Sequence, residues 1–214
     1  MNDPIEAPSI TQSYDRIADV YAERFFEELD EKPLDRALLA LFADEVRDRG
    51  RVVDVGCGPG QVARALHALG VEVTGLDASA SMIAVAQRLS PMLEFKVGSF
   101  RKLPYADGTL AGITAFYAFV HVPVDELPQV LSEAYRVIKR GGWLLVGFHV
   151  GTGTLHVDTL LGARVDLDYV LIESEQMLAA LTQAGFAPET QVERAAYTTI
   201  EHPTTRGYVL ARKR

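Results

Sequence analysis

Residues Val52 to Gly60 read V-V-D-V-G-C-G-P-G, a β-branched run and an acid followed by three glycines in five positions, and an amphipathic stretch from Gln61 to Leu69 follows at once. Only a buried strand, a tight turn and a helix N-terminus accommodate that order. Glycine alone tolerates the turn's backbone, and a helix N-terminus directs unpaired N–H groups outward. Gly56, Gly58 and Gly60 therefore place bare backbone against a ligand, and the reading is a nucleoside-bearing, adenosine-type cofactor.

The spacing discriminates between cofactors. A dinucleotide fingerprint needs Gly or Ala at the last position of G-x-G-x-x-G, and counting from Gly56 that position is Gln61, too long for close helix packing. Dinucleotide binding is demoted accordingly.

Around this motif strands and helices alternate. Tyr14, Ile17, Ala18, Tyr21 and Phe25, then Leu34, Leu38, Leu41 and Phe42, fall at helical spacing, giving two helices between Ser13 and Val46. Strands are expected at 51–55, 72–76, 93–97, 110–116 and 142–148, and helices at 61–69, 79–89, 127–138 and 174–184. Two closing strands lie near 190–197 and 207–212. Such alternation predicts parallel strands joined by right-handed crossovers. The connection through His202 and Pro203 is too short for a crossover, so the last two strands pair antiparallel.

With 214 residues, 48% of them hydrophobic, the chain suits one domain. Its formal net charge of -8 disfavours phosphate backbones, so nucleic acid is not an expected partner. The basic tail of Arg206, Arg212, Lys213 and Arg214 reads as a solvated strand edge. The single Cys57 excludes an internal disulfide, Met1 to Gln12 lack a secretory pattern, and the apolar stretch Leu110 to Val124 is too short and interrupted for a membrane span. The expectation is a cytoplasmic monomer or homodimer acting on a small molecule, with no membrane partner.

The string D-x-G-x-G-x-G, here Asp54, Gly56, Gly58 and Gly60, resembles the first motif of class I S-adenosylmethionine-dependent methyltransferases, and further segments agree from about Tyr14 to the C-terminus. The resemblance implies a single Rossmann-like, doubly wound α/β sheet, mostly parallel with an antiparallel C-terminal hairpin strand and helices on both faces. Residues 1–46 would be an N-terminal helical lid of the same domain, and 47–214 its methyltransferase portion. The implied activity is direct in-line transfer of a methyl group from S-adenosyl-L-methionine to an O, N or S nucleophile of a small molecule, leaving S-adenosyl-L-homocysteine. A non-catalytic binder or sensor of the same cofactor is the alternative, and a nicotinamide oxidoreductase stands behind both.

Asp77, at the end of the second strand and about twenty residues past the turn, is placed for the ribose hydroxyls, or else caps the helix that Ser79 begins. By resemblance Ala78 and Met82 line the adenosine, and Ser99 stands where the family often has an acid for the adenine amino group. Phe100 flanks the ring or belongs to the core. Asp54 steadies the turn and helps hold the methionine ammonium, with backbone carbonyls near Phe116 and Tyr117. Cys57 fills space inside the turn. The family's Asp-Gly-Ser-Phe-Asp appears as Asp107-Gly108-Thr109-Leu110-Ala111, without its last acid, and the Asn/Asp-Pro-Pro-Tyr string of nucleobase and amide methylation is missing.

His121 is the best-placed base, or merely fixes the chain before Pro123. His149, a second catalytic candidate, and His156 flank Gly151-Thr152-Gly153-Thr154, a loop at the carboxyl end of the fifth strand where the substrate is expected. Their spacing matches no compact zinc pattern, so no metal is expected. Tyr14 and Tyr21 share a face of the lid helix, toward either the substrate or the sheet.

Overall fold

The structure, a computed structural model, describes residues 9–214; most of the segment read for a secretory pattern lies outside them. Helix α1 (Ile10–Phe25) begins in a reciprocal capping box, Ser9 taking the Gln12 N–H while Gln12 reaches back to the Ser9 N–H. A 3₁₀ turn at Glu28–Glu31 leads to α2 (Pro33–Val46), with proline at its first position.

Then come β1 (Val52–Val55), α3 (Gln61–Ala68), β2 (Val73–Asp77), α4 (Ala80–Leu89), β3 (Glu94–Val97) and β4 (Leu110–Phe116). The second half runs through α5 (Leu127–Val137), β5 (Ile138–Val150), β6 (Thr154–Leu160), β7 (Ala163–Val170), α6 (Ser174–Gln183), β8 (Phe186–Arg194) and β9 (Thr205–Lys213). A seven-stranded sheet has the order β3-β2-β1-β4-β5-β9-β8, with β9 antiparallel to both neighbours and the other pairings parallel. This is the doubly wound sheet with an antiparallel C-terminal hairpin that the resemblance implies.

Successive residues of β1 serve opposite faces. Val53 and Val55 join a core with α5 and α6, whereas Val52 packs with α2 and α3. β1 is buried throughout, and β4 up to its last residue, as strands covered on both faces must be. The strand order reverses between β1 and β4, so their carboxyl ends splay the following loops apart and leave a crevice.

Two sequence expectations change. The segment after the fifth strand, read as a loop, is a β6–β7 hairpin forming its own two-stranded sheet. Its inner residues Val165 and Leu167 are fully buried with Ile17 of α1, so the hairpin and the first helix make one cover. The closing strand β8 starts at Phe186, earlier than expected, because an edge strand accommodates Pro188 at a register shift. No helix among the described residues is long and apolar enough to cross a membrane.

Candidate functional site

The glycine turn is held in the left-handed region at all three positions, with φ of +64° at Gly56, +51° at Gly58 and +92° at Gly60. The three differ in what demands glycine. A Cβ on Gly56 would stand 2.6 Å from that of Ala118, and one on Gly60 would stand 2.8 Å from the Phe95 ring, whereas one on Gly58 would meet nothing within 4 Å. Gly56 and Gly60 thus let other parts of the protein approach. Gly58 faces open space.

That space is a cavity of about 300 Å³ at the β1/β4 crevice. Asp54, Gly56, Cys57, Gly58, Asp77, Ala78, Met82, Ser99, Phe100, Phe116 and Tyr117 all line it, as do Tyr14, Tyr21 and His121. Gly60 stands apart from its walls: its N–H goes to the Cys57 carbonyl at 2.9 Å and it caps α3, so its part is in the turn.

Asp77 accepts the Gly58 N–H on one oxygen and the Ser79 N–H on the other, each at 2.8 Å. It thereby ties the glycine turn to the head of α4. Ser79 caps that helix itself through the Met82 N–H. The Asp77 carboxyl is raised by burial, partly offset by backbone N–H groups of Ser79, Gly58 and Ala78, and the residue lines the cavity.

Asp54 is 1% exposed. Its Oδ1 accepts the Thr114 hydroxyl at 2.8 Å, a cross-strand partner set by the β1/β4 register, while Oδ2 is buried without a partner among the described residues. Burial raises this carboxyl to about 7 against the Thr114 hydrogen bond, with the Asp77 charge adding to the rise and the nearby Ala63 N–H of α3, outside hydrogen-bonding geometry, offsetting a little of it. A buried carboxylate oxygen needs a donor, and a cationic one serves best.

Phe100 meets Phe119 edge-to-face at 5.3 Å and lines the cavity, so the core and cavity readings hold together. The Ser99 hydroxyl accepts the Arg101 N–H at 3.1 Å, shaping the loop. Met82 is 2% exposed among Ala18, Ala22 and Val85, joining α4 to α1 at the cavity wall. Burial raises the Cys57 thiol well above its usual range, so it is an inert neutral wall.

Tyr117 has φ of +56°, a strained conformation for a non-glycine residue, immediately after β4. Its N–H bonds to the Gly147 carbonyl at 2.8 Å and its hydroxyl to the Tyr208 hydroxyl at 2.8 Å. Tyr208 in turn donates to Asp35 at 2.9 Å. The sheet holds this ring at a boundary: Tyr117, with Tyr14, Tyr21 and Glu28, also lines a second cavity of about 360 Å³ under the hairpin.

His121 lies at the edge of the first cavity. Its Nδ1 is 2.7 Å from the Asp168 carbonyl, which can only accept, so Nδ1 carries the proton and Nε2 accepts the Tyr14 hydroxyl at 2.8 Å. The Tyr169 hydroxyl stands 3.3 Å from that of Tyr14. Burial lowers the His121 pKa, countered in part by its bond to the Asp168 carbonyl, and burial raises that of Tyr14. The pair is a neutral imidazole holding a neutral phenol.

His149 and His156 are separated by this geometry. His149 ends β5 in the second cavity, 2.7 Å from the Thr204 hydroxyl, and burial pushes it down to about 3 with the nearby Arg206 adding to the fall. Such a weakly basic ring is poorly matched to accepting a proton near neutrality. His156 sits on exposed β6, where a 2.9 Å bond to Asp168 raises its pKa, and it touches the second cavity from the rim.

Sequence reasoning missed Lys32, Tyr169, Glu201 and Arg206, all lining the second cavity from three separate segments. Only the hairpin left a local trace, since Leu155, Val157, Val165 and Leu167 alternate with polar residues around Gly162.

Residues 52–142 match the family model described as a methyltransferase domain. The chain is 35% identical over 150 residues to a sterol 24-C-methyltransferase of Gibberella zeae, covering 64% of this chain and 39% of that protein. It is 37% identical over 98 residues to a demethylmenaquinone methyltransferase of Thermotoga maritima, covering 45% of this chain and 42% of the relative. It therefore spans about two fifths of the length of these relatives. Among solved structures, the PH0226 protein of Pyrococcus horikoshii superposes with a TM-score of 0.73 at 19% identity, covering 94% of this chain and 99% of the other. The matched segment runs from β1 into β5 through the glycine turn and crevice, so this part of the chain is similar to a methyltransferase domain.

Proposed function

We propose that this protein transfers a methyl group from S-adenosylmethionine to a small-molecule nucleophile by direct displacement. The observation that carries the reading is the unpartnered Oδ2 of buried Asp54, set beside Gly58, whose missing side chain leaves the cavity open. A ligand bearing both an ammonium and a nucleoside fits those two needs at once. When bound, S-adenosylmethionine supplies a methyl group on a sulfonium, which loses its charge as the methyl leaves.

On this reading Asp54 and the carbonyls near Phe116 and Tyr117 hold the ammonium, Asp77 takes the ribose hydroxyls, and Ala78, Met82, Ser99 and Phe100 flank the adenosine. Residues 1–46 act as a lid on the domain formed by 47–214; within it, α1 brings Tyr14 and Tyr21 over the boundary of the two cavities. The enzyme's task is alignment and exclusion of water, with a base only for a protonated nucleophile. His121, reached through Tyr14, is that base, and His149 is a wall residue. A chain of net charge -8 suits small cytoplasmic metabolites rather than phosphate backbones.

Calorimetry tests the reading. S-adenosylhomocysteine should bind the wild type, and Asp77→Ala should weaken it by at least about tenfold, the loss of one charge-assisted contact. In a turnover assay Tyr14→Phe should lower kcat by about 100-fold, the low end for general base catalysis, while leaving cofactor affinity unchanged. No heat with S-adenosylhomocysteine would remove the assignment.

A further inference from the structure

The second cavity indicates what is methylated. We infer that it takes an uncharged, ring-sized acceptor bearing an acidic hydroxyl, of the phenol or enol class, with the apolar body under the β6–β7 hairpin and the hydroxyl at Tyr14. The inference rests on the methyl-transfer reading above and adds the acceptor class.

Three observations carry it. The walls are apolar, formed by Tyr21 and Phe25 of α1 and by Leu155, Val157 and Leu171 from the hairpin side. A body without polar groups is therefore favoured along most of its length.

The charged residues at the other end are already matched. Lys32 Nζ lies 2.7 Å from Glu28 and 3.1 Å from Glu201. Arg206 donates to the Thr204 carbonyl at 2.6 Å and the His202 carbonyl at 3.1 Å, with Glu201 3.7 Å away. Two cations face two anions, and His156 at the rim has its own Asp168. A carboxylate or ammonium on the acceptor would lose its hydration without gaining an unmatched partner, a penalty that a neutral ring escapes.

The third observation is at the boundary. Tyr14 donates to His121, and its oxygen, with Tyr169 at 3.3 Å on one side, keeps a second lone pair for an incoming O–H. As the acceptor oxygen forms its bond to the methyl carbon, the carbon–sulfur bond breaks and its electron pair stays on sulfur. The hydroxyl proton passes to Tyr14 while the Tyr14 proton passes to His121 Nε2, and the resulting imidazolium is held by the Asp168 carbonyl. A base whose pKa burial has lowered can assist an acidic hydroxyl but is mismatched to an aliphatic alcohol.

The test compares one ring system in different chemical dress: 2-naphthol, 6-hydroxy-2-naphthoate, 2-naphthylmethylamine and decahydro-2-naphthol, each assayed for S-adenosylhomocysteine formation. The expectation is a kcat/KM for 2-naphthol at least tenfold above every other compound. Leu155→Asp, placed at a wall position that is 38% exposed and tolerant of change, should weaken 2-naphthol binding at least fivefold, read by the naphthol's own fluorescence, and leave S-adenosylhomocysteine affinity unchanged. A charged or aliphatic compound equalling 2-naphthol would overturn the acceptor class. If S-adenosylhomocysteine bound while 2-naphthol neither bound nor reacted, the acceptor class would be wrong and the methyl-transfer reading would stand; failure of S-adenosylhomocysteine itself to bind would remove both.

Discussion

Replacing Asp54 by Asn should stabilise the ligand-free protein and weaken its grip on the cofactor, and the two effects share one cause. Burial raises this carboxyl from 3.8 to about 7. An acid whose folded pKa lies above its unfolded value contributes stability below the unfolded pKa, and that contribution is lost as pH rises toward the folded one. At about 1.36 kcal/mol per pH unit, the loss is nearly complete at pH 7 and amounts to about 4 kcal/mol. Between pH 5 and pH 8 it accounts for about 3 kcal/mol. Asparagine carries no such charge, so the stability difference between Asp54→Asn and wild type should widen by that amount across the interval. Asp77, raised in the same direction, and His149, lowered, titrate in both proteins and largely drop out of the difference. Urea denaturation at the two pH values reads it as a relative midpoint shift of about 1 M or more, for m-values of about 2–3 kcal/mol/M. With S-adenosylhomocysteine present, the ammonium should hold Asp54 ionised, so binding releases a proton below pH 7 and affinity should rise about tenfold from pH 6 to pH 8. Asp54→Asn should bind more weakly, with a flat profile. A stability difference equal at both pH values would refute the claim that the cavity stores this buried charge.

Two other substitutions address the turn and the floor of the second cavity. Gly58→Ala should cost about 1–2 kcal/mol of stability for a left-handed backbone, yet reduce S-adenosylhomocysteine affinity by more than about tenfold, because the new methyl enters open cavity rather than protein; calorimetry beside thermal melts separates the two. Glu201→Gln should cost about 3–5 kcal/mol by breaking a buried ion cluster that includes Arg194 at 2.6 Å and Lys32 at 3.1 Å. Burial works to raise the Glu201 carboxyl, but Arg194, the Tyr197 N–H and Lys32 outweigh it and hold it at about 2, below its usual 4.5. Its stability contribution is therefore present above pH 4.5 and lost as pH falls toward 2, and acid denaturation midpoints of the two proteins check this.

What could be read in the chain, and what could not, divides by how locally each feature is encoded. The glycine turn is local: Gly56, Gly58 and Gly60 adopt the positive φ values that their spacing demands, within one strand–turn–helix unit. Asp77 follows from the same unit, since the parallel pairing of β1 with β2 brings the second strand's end beside that turn. The parallel direction of the first five strands is legible for a related reason, because helices long enough for crossovers separate most of them, whereas their order in the sheet is not written locally. The second cavity obeys no such rule. Lys32 at the start of α2, Tyr169 in the hairpin, and Glu201 with Arg206 around the last turn come together only after every intervening element has packed. Each alone reads as a surface charge or a loop aromatic. His121 shows the same limit within one residue: the sequence offered it either as a base or as a chain anchor, and the structure anchors one ring nitrogen to the Asp168 carbonyl and turns the other to Tyr14, an arrangement compatible with the base proposed above. The anchoring bond is what fixes the tautomer that leaves Nε2 free to accept, so the structural role is the condition for the proton-transfer role. The alternatives posed from sequence were therefore never exclusive, and removing the Tyr14 hydroxyl tests the proton-transfer role without disturbing the anchor.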